Sequence, residues 1–386
     1  MKRSQDTDGE FSASSEQSQG EQTPALNAEL SVVVAGGGTA GHIEPAMAIA
    51  DAVRRSLPSA RITALGTTKG LEGTLVPERG YDLRLIDPVP IPRKINKSLF
   101  SVPHRVRRAV TQTKDILRDV NADVLIGFGG YVSAPAYLAA KSLHIPFFVH
   151  EANARAGMAN KLGIRLGGRG LAAVEGSGIS AEIVGIPVRS EISSLDRSGL
   201  RAEAREYFGL DPDAPVLLVT GGSQGARSIN NAVSGASREL GEAGVSVLHA
   251  YGKKNSIGVD HQEGTPPYIG VPYISRMDLA LSAADMILCR SGAMTVAEVS
   301  AVGLPAVYVP LPHGNGEQAL NAQPVVDNAG AILINDDNLT NQTIVDKVIP
   351  MITKPDVLTV MAEQTAKSSH PNAADNIAQR VIAAAR

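Results

Sequence analysis

Short runs of apolar and β-branched residues alternate with longer helical patterns from Leu30 onward. This alternation is typical of parallel β-sheets covered by helices. The first series of predicted strands comprises Leu30–Ala35, Ile62–Leu65, Leu83–Ile86, Val124–Gly127, Phe147–His150 and Leu171–Val174. The second series comprises Val216–Thr220, Val245–Leu248, Met286–Cys289, Ala306–Val309 and Ile332–Ile334. We therefore predict an α/β protein with two parallel-sheet domains.

The length of 386 residues suits two domains that each bury a core. Glycine and proline interrupt the pattern at Gly185–Arg189, where we place a hinge. Residues 30–186 then form the first domain and residues 187–366 the second. Residues 1–29, rich in Ser, Gln, Glu and Asp, are predicted to be a disordered tail. The last helical segment, within 367–386, is a candidate to pack back onto the first domain.

Composition excludes several classes of protein. A net charge of −3 argues against a surface that binds nucleic acid as a whole, so no nucleic-acid partner is predicted. A single cysteine, Cys289, excludes an internal disulfide and a cysteine-based zinc cluster. No apolar run approaches the roughly 18 residues that span a bilayer, so any membrane contact is predicted to be peripheral.

A glycine-rich turn follows the first predicted strand. Gly36, Gly38 and Gly41 fit the pattern G-x-G-x-x-G before a predicted helix over Pro45–Leu57. Such a turn lets backbone amides approach a phosphate, which serves any nucleotide. A nicotinamide enzyme also needs an acid at the end of the second strand, and Ile62–Thr67 offers none. The sequence therefore disfavours a nicotinamide-dinucleotide enzyme.

Polar residues accumulate after several strands of the first domain. His42 follows the glycine-rich turn, while the segments Gly127–Pro135 and His150–Asn153 follow two later strands. Ligands bind beyond the carboxyl ends of parallel strands, so these groups are predicted to line a cleft between the domains. Ordinary capping or packing roles explain each residue singly but explain their shared position poorly.

The second domain repeats the arrangement. Gly221–Arg227 is another phosphate-type turn, in which Ser223 can donate its hydroxyl. Arg290–Glu298 is predicted to be a turn of small residues that leads into a helix with an acid. Glu298 could accept hydrogen bonds from both ribose hydroxyls, or it could be a favourable acid near a helix N-terminus. The spacing alone leaves both interpretations open.

Taken together, these motifs resemble the MurG family of N-acetylglucosaminyltransferases. The resemblance runs from about Ser31 to the C-terminus and is carried by Gly37–His42, Gly129–Ser133, His150–Asn153, Gly221–Arg227 and Arg290–Thr295. It implies the glycosyltransferase-B architecture, two Rossmann-like domains facing across a cleft, with acceptor mostly on the first domain and donor mostly on the second. It also implies transfer of N-acetylglucosamine from UDP-N-acetylglucosamine to lipid I, giving lipid II with inversion and a β1→4 linkage.

The resemblance implies roles for individual residues. His42 and Glu151 are the two candidates for general base, and the sequence does not separate them. Arg189 and Ser223 would contact the donor diphosphate, Ile274 would bind uracil through its backbone, and Glu298 would hold the ribose. The remaining substrate-binding candidates are Thr39, Ala40, Gly41, Asn153, Ala293, Met294, Thr295, Val296, Ala297 and Gln318. The sequence departs from the usual family pattern at Ala40, Glu44 and Glu317.

No cofactor or metal is expected. The metal-binding pattern Asp-x-Asp occurs at Asp6–Asp8, in the predicted tail, and at Asp211–Asp213, where Asp and Pro are typical of a turn. We expect helix N-termini and Arg189 to balance the charge of the diphosphate.

The segment Ile91–Arg108 has cations among apolar residues and no acid. Such a run is often only a solvated face. With the family resemblance, it instead predicts an anionic membrane surface as a partner, with the protein peripheral on the cytoplasmic side of the cell membrane. Two rival functions stay open: a UDP-N-acetylglucosamine epimerase, and a sugar-nucleotide-binding protein without catalysis.

Overall fold

A computed structural model describes residues 29–68, 70–89, 102–313 and 315–385. The strands of the first domain are β1 (Ser31–Ala35), β2 (Arg61–Thr67), β3 (Asp82–Ile86), β4 (Val124–Gly127), β5 (Phe147–Glu151), β6 (Arg169–Ala172) and β7 (Glu182–Ile183). Those of the second domain are β8 (Val216–Thr220), β9 (Ser246–Ala250), β10 (Tyr268–Val271), β11 (Met286–Cys289), β12 (Ala306–Tyr308) and β13 (Ala331–Leu333).

Helices cover both sheets. They are α1 (Ala40–Ser56), α2 (Glu72–Glu78), α3 (Val102–Asp119), α4 (Gly130–Leu143), α5 (Met158–Arg165), α6 (Ser190–Ser193), α7 (Arg197–Phe208) and α8 (Arg227–Ser234). They continue with α9 (Ser237–Glu242), α10 (Met277–Ala283), α11 (Ala293–Ala301), α12 (Glu317–Asp327), α13 (Asn341–Thr343), α14 (Ile349–Ile352), α15 (Pro355–Lys367) and α16 (Ala373–Ala384). A 3₁₀ turn spans Asp336–Asn338, and a π-helical turn, Ile344–Val348, joins α13 to α14.

Both sheets are parallel and have the same topology. The first has the order β3-β2-β1-β4-β5-β6-β7, and the second has the order β10-β9-β8-β11-β12-β13. Each therefore reverses its strand order beside its first strand, the point at which open α/β sheets bind ligands. The central strands are buried on both faces, which explains their continuous apolar sequences. The predicted fold class is confirmed.

Two strands, β7 and β10, were not predicted from sequence, and some predicted boundaries differ from those in the structure. β7 has two residues and β10 is only partly buried, so neither carries a strong apolar signal. β6 begins two positions earlier than predicted, because Arg169 pairs with Phe148 at the edge of the core. Helix α1 begins at Ala40, not Pro45, because the extended backbone of Thr39 forms its N-cap and the proline is accommodated inside the helix.

The C-terminal helix crosses back to the first domain. The segment 367–386 is not one helix, because α15 ends at Lys367 and α16 begins only at Ala373. Ile377 and Val381 of α16 are fully buried in one core with Ile49 and Val53 of α1. The two domains are thus connected twice along the chain, near Gly185 and again between α15 and α16. No helix in the described ranges has the length and apolar character needed to cross a membrane.

Candidate active site

An interdomain cavity of about 510 Å³ is lined by the loops that follow β1, β5, β8 and β11. Most of the predicted site residues line this cavity. From the first domain these are Thr39, Ala40, Gly41, His42 and Asn153, and from the hinge and second domain they are Arg189, Ser223, Ile274, Ala293, Met294, Thr295 and Glu298. Parallel strands bring their carboxyl ends to one edge, so residues distant in sequence meet here.

A second cavity, the first-domain cavity, also has a volume of about 510 Å³. Apolar side chains line much of it, including Val106, Leu138 and Leu162. Tyr131 and Met158 lie at its wall and are 53% and 72% exposed. His42, Asn153 and Glu317 line both cavities. This junction is therefore where a group held in one cavity can meet a group held in the other.

The imidazole of His42 lies at this junction, in the first turn of α1. Its Nδ1 is 3.1 Å from Oγ1 of Thr39, the N-cap residue. Burial lowers the pKa of His42 below its ordinary value, and the charges of Glu151 and Glu72 oppose that shift. The side chain is therefore neutral at neutral pH, the protonation state that a general base requires.

Glu151, the other candidate base, is buried at the end of β5 and is fully hydrogen-bonded. Its Oε1 accepts hydrogen bonds from the backbone amide and side-chain amide of Asn153, at 2.9 and 3.2 Å. Its Oε2 accepts from the Gly157 amide at 3.0 Å and from Nδ2 of Asn160 at 2.9 Å. Both oxygens are thus committed to holding the loop that carries Asn153.

Arg189 joins the two domains through carboxylates. Its Nη2 donates to Glu298 at 3.2 Å, and its Nη1 lies 3.9 Å from Glu44 of α1. Glu44 also pairs with Arg79 at 2.9 Å. Burial raises the pKa of Glu298; the nearby Glu44 also raises it, whereas Arg189 lowers it. Burial alone would lower the pKa of Arg189. The charges of Glu298, Glu44 and Glu191 have a larger combined effect, so the pKa of Arg189 is raised. The guanidinium is thus a permanent cation at the cavity wall.

The phosphate-type turn of the second domain leads into α8. Gly222 has φ +83°, and its amide donates to Oγ1 of Thr220 at 3.1 Å. Ser223 is exposed at the tip of the turn. A Cβ at Gly225 would lie 2.1 Å from the carbonyl oxygen of Tyr251, so only glycine permits this close packing. The turn therefore presents Ser223 from a fixed backbone.

Three predicted site residues lie elsewhere. Val296 and Ala297 face the apolar core of the second domain, because the turn of α11 directs Met294, Thr295 and Glu298 into the interdomain cavity instead. The side chain of Gln318 accepts a hydrogen bond from the Leu311 amide at 3.0 Å and does not line either cavity. Its neighbour Glu317 lines both.

Two residues at the site were not recognised from sequence. Asn321 of α12 accepts from the Ala154 amide at 2.8 Å and lies 3.4 Å from Oδ1 of Asn153, so it fastens the domains together beside the cavity. Glu72 lies beneath the first glycine-rich turn and accepts a hydrogen bond from the Gly38 amide at 3.0 Å. Glu72 is the first residue of α2 and lies beyond Thr67, the end of β2, so it is outside the position where the dinucleotide motif predicts an acid.

The Asp-x-Asp pattern at Asp211–Asp213 belongs to a turn and is not part of a metal-binding cluster of described residues. Asp211 caps its own turn, accepting hydrogen bonds from the amides of Asp213 and Ala214 at 2.8 Å each. The pattern at Asp6–Asp8 lies outside the described residues. Within those residues no group of three or more His, Cys, Asp or Glu side chains could hold a metal ion.

The predicted membrane segment, Ile91–Arg108, is described only from Val102 onward, where α3 begins. Arg107 is exposed, and Arg108 pairs with Asp87 at 2.7 Å. Val106, on the same helix, lines the first-domain cavity. The basic helix and the apolar cavity are therefore adjacent.

Comparisons with known proteins cover both domains. Residues 32–166 match the glycosyltransferase family 28 N-terminal domain, and residues 216–377 match the family 28 C-terminal domain. The chain is 66% identical over 364 residues to the UDP-N-acetylglucosamine–N-acetylmuramyl-(pentapeptide) pyrophosphoryl-undecaprenol N-acetylglucosamine transferase of Corynebacterium jeikeium (strain K411), covering 94% of this chain and 98% of that one. The protein of the same name from Rhodococcus erythropolis (strain PR4 / NBRC 100887) is 60% identical, covering 92% and 94%.

Solved structures give the same picture. Acinetobacter baumannii MurG superposes with a TM-score of 0.72 at 26% identity, covering 92% of this chain and 100% of that chain. The UDP-GlcNAc 2-epimerase from Neisseria meningitidis, bound to UDP-GlcNAc, superposes with a TM-score of 0.65 at 16% identity, covering 92% and 100%. At that identity the likeness to the epimerase shows the fold alone.

Proposed function

The chain belongs to the MurG transferases of glycosyltransferase family 28, and from this we infer that it transfers N-acetylglucosamine from UDP-N-acetylglucosamine to lipid I. The product is lipid II, an intermediate of peptidoglycan synthesis. The observation that carries the inference is 66% identity over 94% of the chain to a transferase of that specificity. The two cavities that meet at His42 support the proposal, because a donor in one and an acceptor in the other would be neighbours there.

The donor fits the interdomain cavity. The Arg189 cation and the amides and hydroxyl of the Ser223 turn would hold the diphosphate, because phosphate favours charge-assisted and backbone hydrogen bonds. Glu298 would accept hydrogen bonds from the ribose, and the backbone of Ile274 would contact uracil. With these groups holding the diphosphate, we expect donor binding without a metal ion or a cofactor.

The acceptor fits the first-domain cavity, with its muramyl 4-hydroxyl at the junction. His42 would take the hydroxyl proton as the oxygen bonds to C1 of N-acetylglucosamine. The bond from C1 to the phosphate oxygen breaks with its electron pair on UDP, and attack from the opposite face inverts the anomeric centre. Glu151 is the weaker candidate for base, because its four hydrogen bonds occupy both oxygens. Its role would be to hold the loop that carries Asn153.

The deciding experiment measures UDP release from the purified full chain with UDP-N-acetylglucosamine, with and without a short-chain lipid I analogue. Release only when the analogue is present, together with a disaccharide product, supports the transferase. Isomerised sugar nucleotide formed without acceptor would identify an epimerase. Donor binding without UDP release would identify a binding protein.

We also propose that the segment Ile91–Arg108 attaches the first domain to an anionic membrane surface on the cytoplasmic side. Support comes from the basic residues of α3, which lie beside the apolar first-domain cavity. Charge reversal at Arg105, Arg107 and Arg108 is expected to weaken sedimentation with vesicles that contain phosphatidylglycerol. A matched variant reversing Arg227, Lys253 and Lys254, three exposed cations of the second domain, is expected to sediment normally. Equal sedimentation of both variants would disprove the attachment.

A further inference from the structure

Glu72 is an acid buried beneath the first glycine-rich turn. It is 0% exposed, and its Oε1 accepts hydrogen bonds from the amides of Gly38 at 3.0 Å and Thr67 at 3.2 Å. Its Oε2 is buried and has no hydrogen-bond partner among the residues that the structure describes. An ionised carboxylate in such a place is costly unless another group compensates its charge.

Glycines of three segments leave the space that this side chain fills. A Cβ at Gly37 would lie 2.5 Å from Oε1, one at Gly70 would lie 1.5 Å from Oε2, and one at Gly66 would lie 2.9 Å from Cβ of Glu72. The turn before α1 therefore rests directly on the carboxylate. The glycine-rich motif alone predicts that the Gly38 amide binds a substrate phosphate. In the structure this amide already donates a hydrogen bond to Glu72, so it is not free to do so.

The acids around His42 differ in how many hydrogen bonds and ion pairs their carboxylates make. Glu72 on α2 and Glu151 on β5 both favour the protonated imidazole. The carboxylate of Glu151 accepts four hydrogen bonds, shared between its two oxygens. Among the described residues, the carboxylate of Glu72 accepts two on one oxygen and none on the other. Glu44, which is on α1 with His42, pairs with Arg79. Glu317 and Arg155 line the first-domain cavity together with His42.

Resting on the proposed transferase function, we propose that Glu72 is a positioning residue for the reaction. It fixes the turn that presents His42, and its charge stabilises the imidazolium that forms when His42 takes the proton of the acceptor hydroxyl. The proton moves from the acceptor oxygen to the imidazole and no further, so Glu72 itself undergoes no chemical change. Stabilising a charge that develops in the transition state accelerates the reaction without tightening ground-state binding.

The test is the substitution E72Q, which keeps the shape and removes the charge. We expect kcat to fall about 3- to 10-fold, because general-base efficiency follows the basicity of the base. The acid limb of the kcat profile should move to lower pH by about one unit. The KM for UDP-N-acetylglucosamine should change little. E78Q on the exposed end of the same helix is the matched control and should resemble the wild-type protein.

A second readout does not need activity. In the full chain labelled with ¹³C-histidine, the His42 resonance is identified by its loss in H42Q, and its titration midpoint is followed by NMR. The midpoint should fall by about one unit in E72Q and stay unchanged in E78Q. In E72D, which keeps the charge, the His42 midpoint should lie close to the wild-type value. Thermal unfolding of each variant checks that the fold is retained.

Lower activity with an unchanged His42 midpoint in a folded E72Q protein would overturn the proposal, since it would show a structural role alone. Unchanged activity and midpoint would overturn it as well. If the wild-type chain releases no UDP with lipid I analogue, the proposed function fails, while the NMR titration still decides whether Glu72 acts on His42.

Discussion

Replacing Arg189 with methionine tests how the interdomain cavity recognises its donor. Methionine has a similar reach but carries neither charge nor hydrogen-bond donors. Among the described parts of the chain, Nη2 alone makes a hydrogen bond, to Glu298 at 3.2 Å. Nη1 is 3.9 Å from Glu44, and Nε is buried with no partner in those parts. A guanidinium has five N–H donors, so most of them are available to a diphosphate.

The expected loss is about 2 kcal/mol, because one or two hydrogen bonds to a charged phosphate contribute about 1.5–3 kcal/mol. This corresponds to roughly a 30-fold increase in the Kd for UDP. Removing the cation also leaves the Glu298 carboxyl without its ion-pair partner at the cavity wall, whereas Glu44 keeps its ion pair with Arg79. Uridine has no diphosphate, so its Kd should change less than about threefold.

Isothermal titration calorimetry with UDP and with uridine separates these effects. All titrations are made at the same pH, because burial raises the pKa of Glu298 and a change of pH could change its charge. The variant R276M is the matched control, because Arg276 is about half exposed and pairs with Asp278. Equal losses for UDP and uridine in R189M would refute the reasoning, since Arg189 would then act by holding Glu298 rather than by contacting phosphate.

Three further predictions concern stability and metal dependence. Burial lowers the pKa of His249 to about 4, so protonation of its imidazole favours the unfolded chain. The neutral imidazole therefore contributes to the free energy of unfolding above pH 6.5, and this contribution is lost as the pH falls towards and below 4. The shift from 6.5 to about 4 corresponds to about 3 kcal/mol. Urea unfolding across this range should show the loss in the wild-type protein and a weaker pH dependence in H249Q; equal slopes would contradict it. I377A should destabilise the protein by about 2–4 kcal/mol in urea unfolding, because Ile377 is fully buried between α16 and α1, whereas V360A at an exposed site should have little effect. A similar small loss in both variants would show that α16 contributes little to the first-domain core. Chelation with EDTA should leave transferase activity unchanged, and activity lost to EDTA and restored by Mg²⁺ or Mn²⁺ would disprove metal-independent donor binding.

The strands that form the two sheet cores were predictable from sequence because they are buried on both faces. Val32, Val33 and Val34 read as one apolar run for this reason. The short β7 and the partly exposed β10 were not predicted, because their local sequence carries little of that signal. Their positions follow from pairing with neighbouring strands, which is a property of the whole sheet.

The glycine-rich turns and the residues after each central strand were also evident from sequence, because parallel strands deliver them to one edge. Sequence therefore determined the architecture, the family and most of the residues that line the interdomain cavity. Within α11, the position of each residue around the helix axis decides where its side chain lies. Glu298 lines the interdomain cavity, and Val296 packs in the core. The order of residues along the motif did not show this.

The tertiary structure alone decided which polar groups meet. Arg189 pairs with Glu298 and approaches Glu44, Asn321 fastens the loop after β5, and a buried Glu72 supports the turn that carries His42. Acids are normally expected at the surface, so no local pattern marks Glu72 as buried. Strand and helix patterns depend on neighbours a few residues apart, whereas these contacts depend on how separate segments pack in three dimensions.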